Sequence, residues 1–142
     1  MRFWDSSALV PLVVRQSATS EAEKWAAEDG SLVVWTLALV EVVSALRRLV
    51  RDGAVSERAA REAEALGVDL VKRAHTVTDV ERTKALARRL LRLHALRAAD
   101  ALQLAAALAW ADGHPEGLVL HTFDRRLAET AEREGFHVIP AP

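Results

Sequence analysis

Short apolar runs alternate along the chain with longer stretches in which apolar residues return every three or four positions. The alternation continues from the first residues to the last and predicts strands interleaved with helices, an α/β fold on a mainly parallel sheet. Met1 to Trp4 reads as a short buried strand, and Asp5-Ser6-Ser7 supplies helix-starting residues ahead of a helix over Ala8 to Val14. Pro11 suits that helix at its beginning or at a kink. Ser20 and Glu23 have capping-box spacing and predict a helix from about Ser20 to Asp29, stopped by Gly30. Leu32 to Trp35 is the next strand. Thr36 then opens a helix ending near Asp52-Gly53, with the apolar stripe Leu39, Val42, Val43, Leu46, Leu49 and Val50.

Ser56 to about Arg73 has helical spacing, with Gly67 as a point where it could break. His75 to Val77 is a minimal strand, and Thr78 with Glu81 forms a second capping box opening a helix from Thr78 to about Leu93. A further helix begins near Ala98, runs through the alanine-rich Ala101 to Ala111 and closes at Gly113 and Pro115. Leu118 to Thr122 is a strand, Asp124 to Glu134 a helix, and Phe136 to Ile139 the last strand, which the closing prolines cannot extend. No repeat, low-complexity tract or Pro/Gly-rich linker interrupts the pattern. One domain over residues 1–142 is therefore expected.

Composition narrows the chemistry. With 142 residues the chain can bury a core without covalent staples, and the absence of Cys removes disulfides, thiolate metal sites and thiol catalysis. Leu32 to Val40, the longest apolar stretch, is less than half the ~20 residues of a membrane span, and the start of the chain is too polar for an export signal. A soluble, cytoplasmic protein without membrane partners is the expectation. Arg outnumbers Lys 16 to 3, yet the formal net charge is only -1, so a nucleic-acid partner has to be argued from local charge.

Four acids stand apart from the mixed-charge helix faces that hold most of the others. They are Asp5 after the first strand, Glu41 in an apolar stretch, Asp100 at the start of the alanine-rich helix, and Asp124 after Leu118 to Thr122. Taken singly, Asp5 and Asp124 read as helix N-caps and Asp100 as a first-turn acid favoured by the helix dipole. Glu41 shares a helical stripe with Ser44, Arg48 and Arg51, so a wet face accounts for it as well as a buried role does. Parallel α/β sheets, however, bring the residues beyond their strand ends to one edge, where such folds bind ligands. Two charges ~5 Å apart at an effective dielectric near 20 repel by roughly 3 kcal/mol. Carboxylates gathered there must hold protons or a cation, and oxygen ligands without His or Cys suit Mg²⁺ or Mn²⁺.

These residues resemble the PIN domain, in particular the VapC-type toxin ribonucleases of bacterial toxin–antitoxin pairs. The similarity runs through the whole chain. It is carried by Asp5-Ser6-Ser7-Ala8-Leu9, by Glu41 on the third helix, by Arg97-Ala98-Ala99-Asp100-Ala101-Leu102-Gln103-Leu104 and by Thr122-Phe123-Asp124-Arg125-Arg126-Leu127. The resemblance implies a PIN-like three-layer fold, an approximately five-stranded, mainly parallel sheet flanked by helices. It implies that Asp5, Glu41, Asp100 and Asp124 form the catalytic, metal-binding set, with Ser6 and Thr122 as polar residues beside it. The activity implied is Mg²⁺- or Mn²⁺-dependent hydrolysis of RNA phosphodiesters by water, with Glu41 as a ligand, a second-metal ligand or a general base. A small cognate antitoxin and a second copy of the chain are the implied partners. A PIN-like module that binds nucleic acid or protein without cutting is the competing reading, and the complete acid set favours the enzyme.

Between Arg82 and Arg97 lie six basic residues and no acid. Lys84, Arg88 and Arg92 share one helix face there, and with Arg89 and Arg97 they are the candidate RNA-binding residues. Arg125 and Arg126, beside Asp124, suit that role or a plain helix surface. The five His lack metal-ligand spacing and read as structural or surface residues, with His121 turned either to the pocket or to the other sheet face. The four Trp read as core or interface anchors.

Overall fold

The computed structural model describes residues 1–142. Its elements follow in the order β1 (Arg2–Trp4), α1 (Ser6–Val13), α2 (Thr19–Glu28), β2 (Leu32–Trp35), α3 (Ala38–Arg51), α4 (Glu57–Arg73), β3 (His75–Val77), α5 (Val80–Leu93), α6 (Ala98–Trp110), β4 (Val119–His121), α7 (Arg125–Arg133) and β5 (His137–Ile139). The five strands form one sheet in the order β3-β2-β1-β4-β5, every pairing parallel.

Alternation within each strand divides the interior in two. Phe3, Val33 and Trp35 face a core completed by α5, α6 and α7, while Trp4, Leu32 and Val34 face one completed by α1 to α4. Strands covered on both faces read as continuous apolar runs because both sets of side chains leave water. The chain builds β2 and β3 on one side of β1, then crosses to place β4 and β5 on the other. That reversal sits between β1 and β4, and a crevice opens beyond the carboxyl ends of strands at such a point.

The helix starts correct several expectations. Asp5 caps α1, which begins at Ser6 and carries Pro11 in its second turn, two residues before its end. The Ser20–Glu23 box does not form: α2 begins at Thr19, whose Oγ1 accepts from Gln16 N at 2.8 Å and donates to the Pro11 carbonyl at 2.8 Å. Thr36 extends the pairing with β3, its N–H donating to the Val77 carbonyl, so α3 starts later. Asp79, not Thr78, caps α5 by accepting from Arg82 N at 3.0 Å. Gly67 does not break α4. It is buried at the crossing with α3, where an added Cβ would come within 3.2 Å of Leu39 Cδ1, so the small residue lets the helices approach. No helix is long and apolar enough to cross a membrane.

Candidate active site

Asp5 directly follows strand β1 and is only 3% exposed. Its Oδ2 accepts from Ser7 N at 3.1 Å, from Ser7 Oγ at 2.5 Å and from Thr122 Oγ1 at 2.9 Å. The same hydroxyls accept in turn: Phe123 N donates to Ser7 Oγ at 2.9 Å and Asp124 N to Thr122 Oγ1 at 3.0 Å. These bonds stitch the end of β1 to the end of β4. They also consume one oxygen of Asp5 and leave Oδ1 with only a long contact of 3.4 Å to Ser6 Oγ.

Glu41 enters from the first turn of α3. Its Oε2 accepts from Ser6 Oγ at 3.2 Å and its Oε1 from Gln103 Nε2 at 3.0 Å. Asp100 lies in the first turn of α6. Asp124 caps α7, with Oδ1 accepting from Leu127 N at 2.7 Å. Capping and clustering are therefore both true of Asp5 and Asp124. All four acids line one cavity of about 310 Å³, together with Ser6, Ser7, Ser44 and Arg48. The wet-stripe reading of Glu41 is also partly right, since Ser44 and Arg48 share its helix face and its cavity.

The electrostatics record the crowding. Burial pushes the Asp5 carboxyl up against the pull of its bonds from Ser7 and Thr122. Burial, and then the charge of Asp5, pushes Glu41 up to about 7. Asp100 is raised by burial and by the charges of Asp124 and Asp5, while Arg97 and Arg126 oppose the shift. Negative charge here needs a proton or a cation to offset it. The carboxylates share a cavity without closing into a ready cage: no three His, Cys, Asp or Glu side chains are drawn together as ligands.

The basic run is less uniform than its sequence. Lys84 pairs with Glu81 at 2.9 Å, Arg89 with Glu134 at 2.7 Å and Arg82 with Asp112 at 2.6 Å. Asp112 follows the carboxyl end of α6, so Arg82 and Lys84 occupy the end of the α5–α6 pair opposite to Asp100. Two of the candidate RNA contacts, Lys84 and Arg89, thus already have acidic partners, Glu81 on the same helix and Glu134 after α7. Arg88 and Arg92 are exposed on α5. Arg97 borders a second cavity with Asp100, Asp124, Arg125 and Arg126.

His121 faces away from the acids. It stacks on Trp25 with centroids 4.6 Å apart and 11° between planes, and Trp4 lies 4.5 Å away. Trp4, Trp25 and Trp35 are buried as core anchors. Sequence reasoning missed Ser7 and Gln103 as working parts of the site. The signal for Gln103 was a lone uncharged polar residue in an apolar helix, three positions after Asp100; for Ser7 it was only the spacing from Asp5.

A five-stranded parallel sheet with acids gathered where its strand order reverses defines a class. The PIN domain family model matches residues 2–133, and the chain belongs to that family. Within it, the chain is related to the VapC ribonucleases. It is 36% identical over 140 residues to ribonuclease VapC45 of Mycobacterium tuberculosis strain CDC 1551 / Oshkosh, covering 98% of this chain and 94% of the relative. Ribonuclease VapC49 of Mycobacterium tuberculosis strain ATCC 25618 / H37Rv matches to the same extent, 36% over 140 residues, with coverage of 98% and 94%. Among solved structures, Mycobacterium tuberculosis VapC20, described as a Sarcin-Ricin loop cleaving toxin, superposes with a TM-score of 0.65 at 22% identity, over 96% of this chain and 97% of that one. FitAcB from Neisseria gonorrhoeae gives 0.65 at 13% identity, over 97% and 96%. At those identities the structures bear on the fold.

Proposed function

We propose that this protein is a Mg²⁺- or Mn²⁺-dependent endoribonuclease and the toxin of a type II toxin–antitoxin pair. The observation that carries the reading is that Asp5, Glu41, Asp100 and Asp124, from four separate elements, line one cavity in a chain related to the VapC ribonucleases.

The donor set fits a hard divalent ion. Asp5 Oδ1 has only a long contact, Asp124 uses only Oδ1 as a cap, and Asp100 is affected by burial and charge rather than by hydrogen bonds. Asp5, Asp100 and Asp124 would hold the ion through oxygens alone, the ligand type that Mg²⁺ and Mn²⁺ prefer. When bound, the ion supplies neutralising charge and polarises water and a phosphoryl oxygen. The protein's own residues supply the rest. Ser7 and Thr122 hold Asp5 in one orientation, and Ser6 sets Glu41 beside it. In this reading Glu41, whose proton affinity burial has raised, accepts the proton that a water nucleophile releases as it attacks the phosphodiester in line, while the opposite P–O ester bond breaks and the leaving sugar oxygen takes a proton from solvent. No side chain needs to form a covalent intermediate.

RNA is the substrate of this reading, and a small antitoxin and a second copy of the chain are the partners. Apolar side chains such as Val40, Leu66 and Leu93, exposed by 65%, 55% and 59%, support surfaces that partners cover.

Asp100→Asn tests the reading. Cleavage of RNA with Mg²⁺ or Mn²⁺ is expected to disappear with the far-ultraviolet circular dichroism spectrum unchanged, and Mn²⁺ is expected to raise the melting temperature of the native protein by binding only the folded state. Undiminished cleavage by the variant overturns the assignment.

A further inference from the structure

We propose that the RNA phosphate neighbouring the scissile one is held by Arg97 and Arg126, in the cavity between the start of α6 and the start of α7, and not along α5. This inference rests on the nuclease reading of the adjoining acids.

The cavity measures about 230 Å³ and is walled by Arg97, Asp100, Asp124, Arg125 and Arg126, with no apolar residue. Asp100 and Asp124 also line the main acidic cavity, so the two hollows share a wall. A group seated among the arginines is therefore next to whatever the acids act on. Three guanidinium groups face two carboxylates, and an ion shared with Asp5 would draw on the charge of those carboxylates. The excess is positive.

The arginines differ in what they have left to give. Arg125 is drawn along its own helix to Glu129 at 3.0 Å. Arg97 and Arg126 form no ion pair, and both act on Asp100 through charge alone. Arg97 occupies the N-cap position of α6 but makes no capping bond with its side chain. Both guanidiniums thus keep their donors free, and a planar fork of donors matches phosphate oxygens better than a point charge does.

Arg48 borders the acids in the main cavity. It too lacks an ion-pair partner, which gives the strand a positive contact in that cavity as well as among the arginines. A ligand that needs a cation-filled acid cluster and a neighbouring arginine pocket is a phosphodiester chain. The α5 face is the weaker candidate because three of its five basic residues already pair with acids.

Binding of a fluorescein-labelled, mixed-sequence single-stranded RNA in Ca²⁺ buffer, followed by anisotropy over a range of salt, tests the proposal. Arg97→Ala and Arg126→Ala are each expected to weaken binding several-fold. Replacing both is expected to lower the slope of log K against log salt by about 0.7, the loss of one single-strand phosphate contact. The double variant Arg88→Ala/Arg92→Ala is expected to keep the native slope. The Mn²⁺-induced rise in melting temperature should persist in Arg97→Ala and Arg126→Ala, which shows their acid site intact. Native affinity in both single variants, a native slope in the double variant Arg97→Ala/Arg126→Ala, or an equal loss of slope in the α5 variant overturns the proposal while leaving the nuclease reading standing. Native protein that neither binds nor cuts RNA overturns both.

Discussion

Gln103 Nε2 donates to Glu41 Oε1 at 3.0 Å from inside a helix whose other buried residues are alanine and leucine, and the amide's own Oε1 meets no donor. A buried acceptor left without a partner costs roughly 1–3 kcal/mol. The side chain therefore serves Glu41 better than it serves the core. Gln103→Leu is expected to leave the melting temperature unchanged or higher while lowering kcat for RNA cleavage several-fold, because Glu41 loses the donor that orients it. Parallel losses of melting temperature and kcat would show a purely structural role.

The raised carboxyl of Glu41 makes stability depend on pH. Its folded pKa of about 7 exceeds the ordinary 4.5, so the folded state holds a proton that the unfolded state has released between those values. In EDTA, Glu41 therefore contributes a melting temperature that falls as pH rises from about 4.5 to about 7, and Asp5 and Asp100 act with the same sign. Glu41→Gln is expected to flatten that limb, and Mn²⁺ to flatten it in the native protein by stabilising the ionised form. An unchanged limb in Glu41→Gln would refute the assignment.

His121 works in the opposite direction. The Ile139 carbonyl, 3.1 Å from Nδ1, can only accept, and Arg2 Nη1, 3.5 Å from Nε2, can only donate. Those partners select the neutral ring with its hydrogen on Nδ1. Burial holds its pKa down to about 4, so the unfolded state takes up a proton first and stability is lost as pH falls from about 6.5 toward 4. His121→Phe is expected to be less stable near neutral pH, since Arg2 and the Ile139 carbonyl lose a partner, but to lose less between pH 6.5 and 4 than the native protein. Urea denaturation at a series of pH values reads both effects. An equally steep acid limb in the variant would contradict the neutral assignment.

At the α3–α4 crossing, Gly67→Ala and Gly67→Val should separate helix propensity from space. The alanine Cβ presses on Leu39 Cδ1, the flexible tip of a side chain, and the helix gains up to about 1 kcal/mol over glycine. A higher melting temperature is expected. Valine adds two methyl groups against Leu39 and Val42 and should cost about 1–3 kcal/mol. Destabilisation by alanine itself would mean that Leu39 cannot give way.

Periodicity alone was enough for the parallel architecture. Runs such as Leu32 to Trp35 can be buried only between two helical layers, and the spacing of Val42 and Leu46 commits α3 to one face. The four acids were legible because a charge beside a strand end or inside an apolar stretch loses water on folding, and a cap, a counter-ion or a proton has to offset that loss. Helix starts were less legible: Ser20 and Thr78 match a capping pattern, but Thr19 and Asp79 hold the backbone, because a cap depends on how the preceding loop arrives.

Only the tertiary structure decided which charges are free. Lys84 and Arg89 read alike as candidate RNA contacts, yet Glu81 and Glu134 pair with them, while Arg97 and Arg126 keep their donors unpaired beside Asp100. Gln103 acquired its purpose in the same way, from a carboxylate 62 positions earlier in the chain. The residue order specifies local periodicity and the kinds of groups available, but Coulomb and hydrogen-bond energies depend on distances through space, and those are set once the helices pack on the sheet.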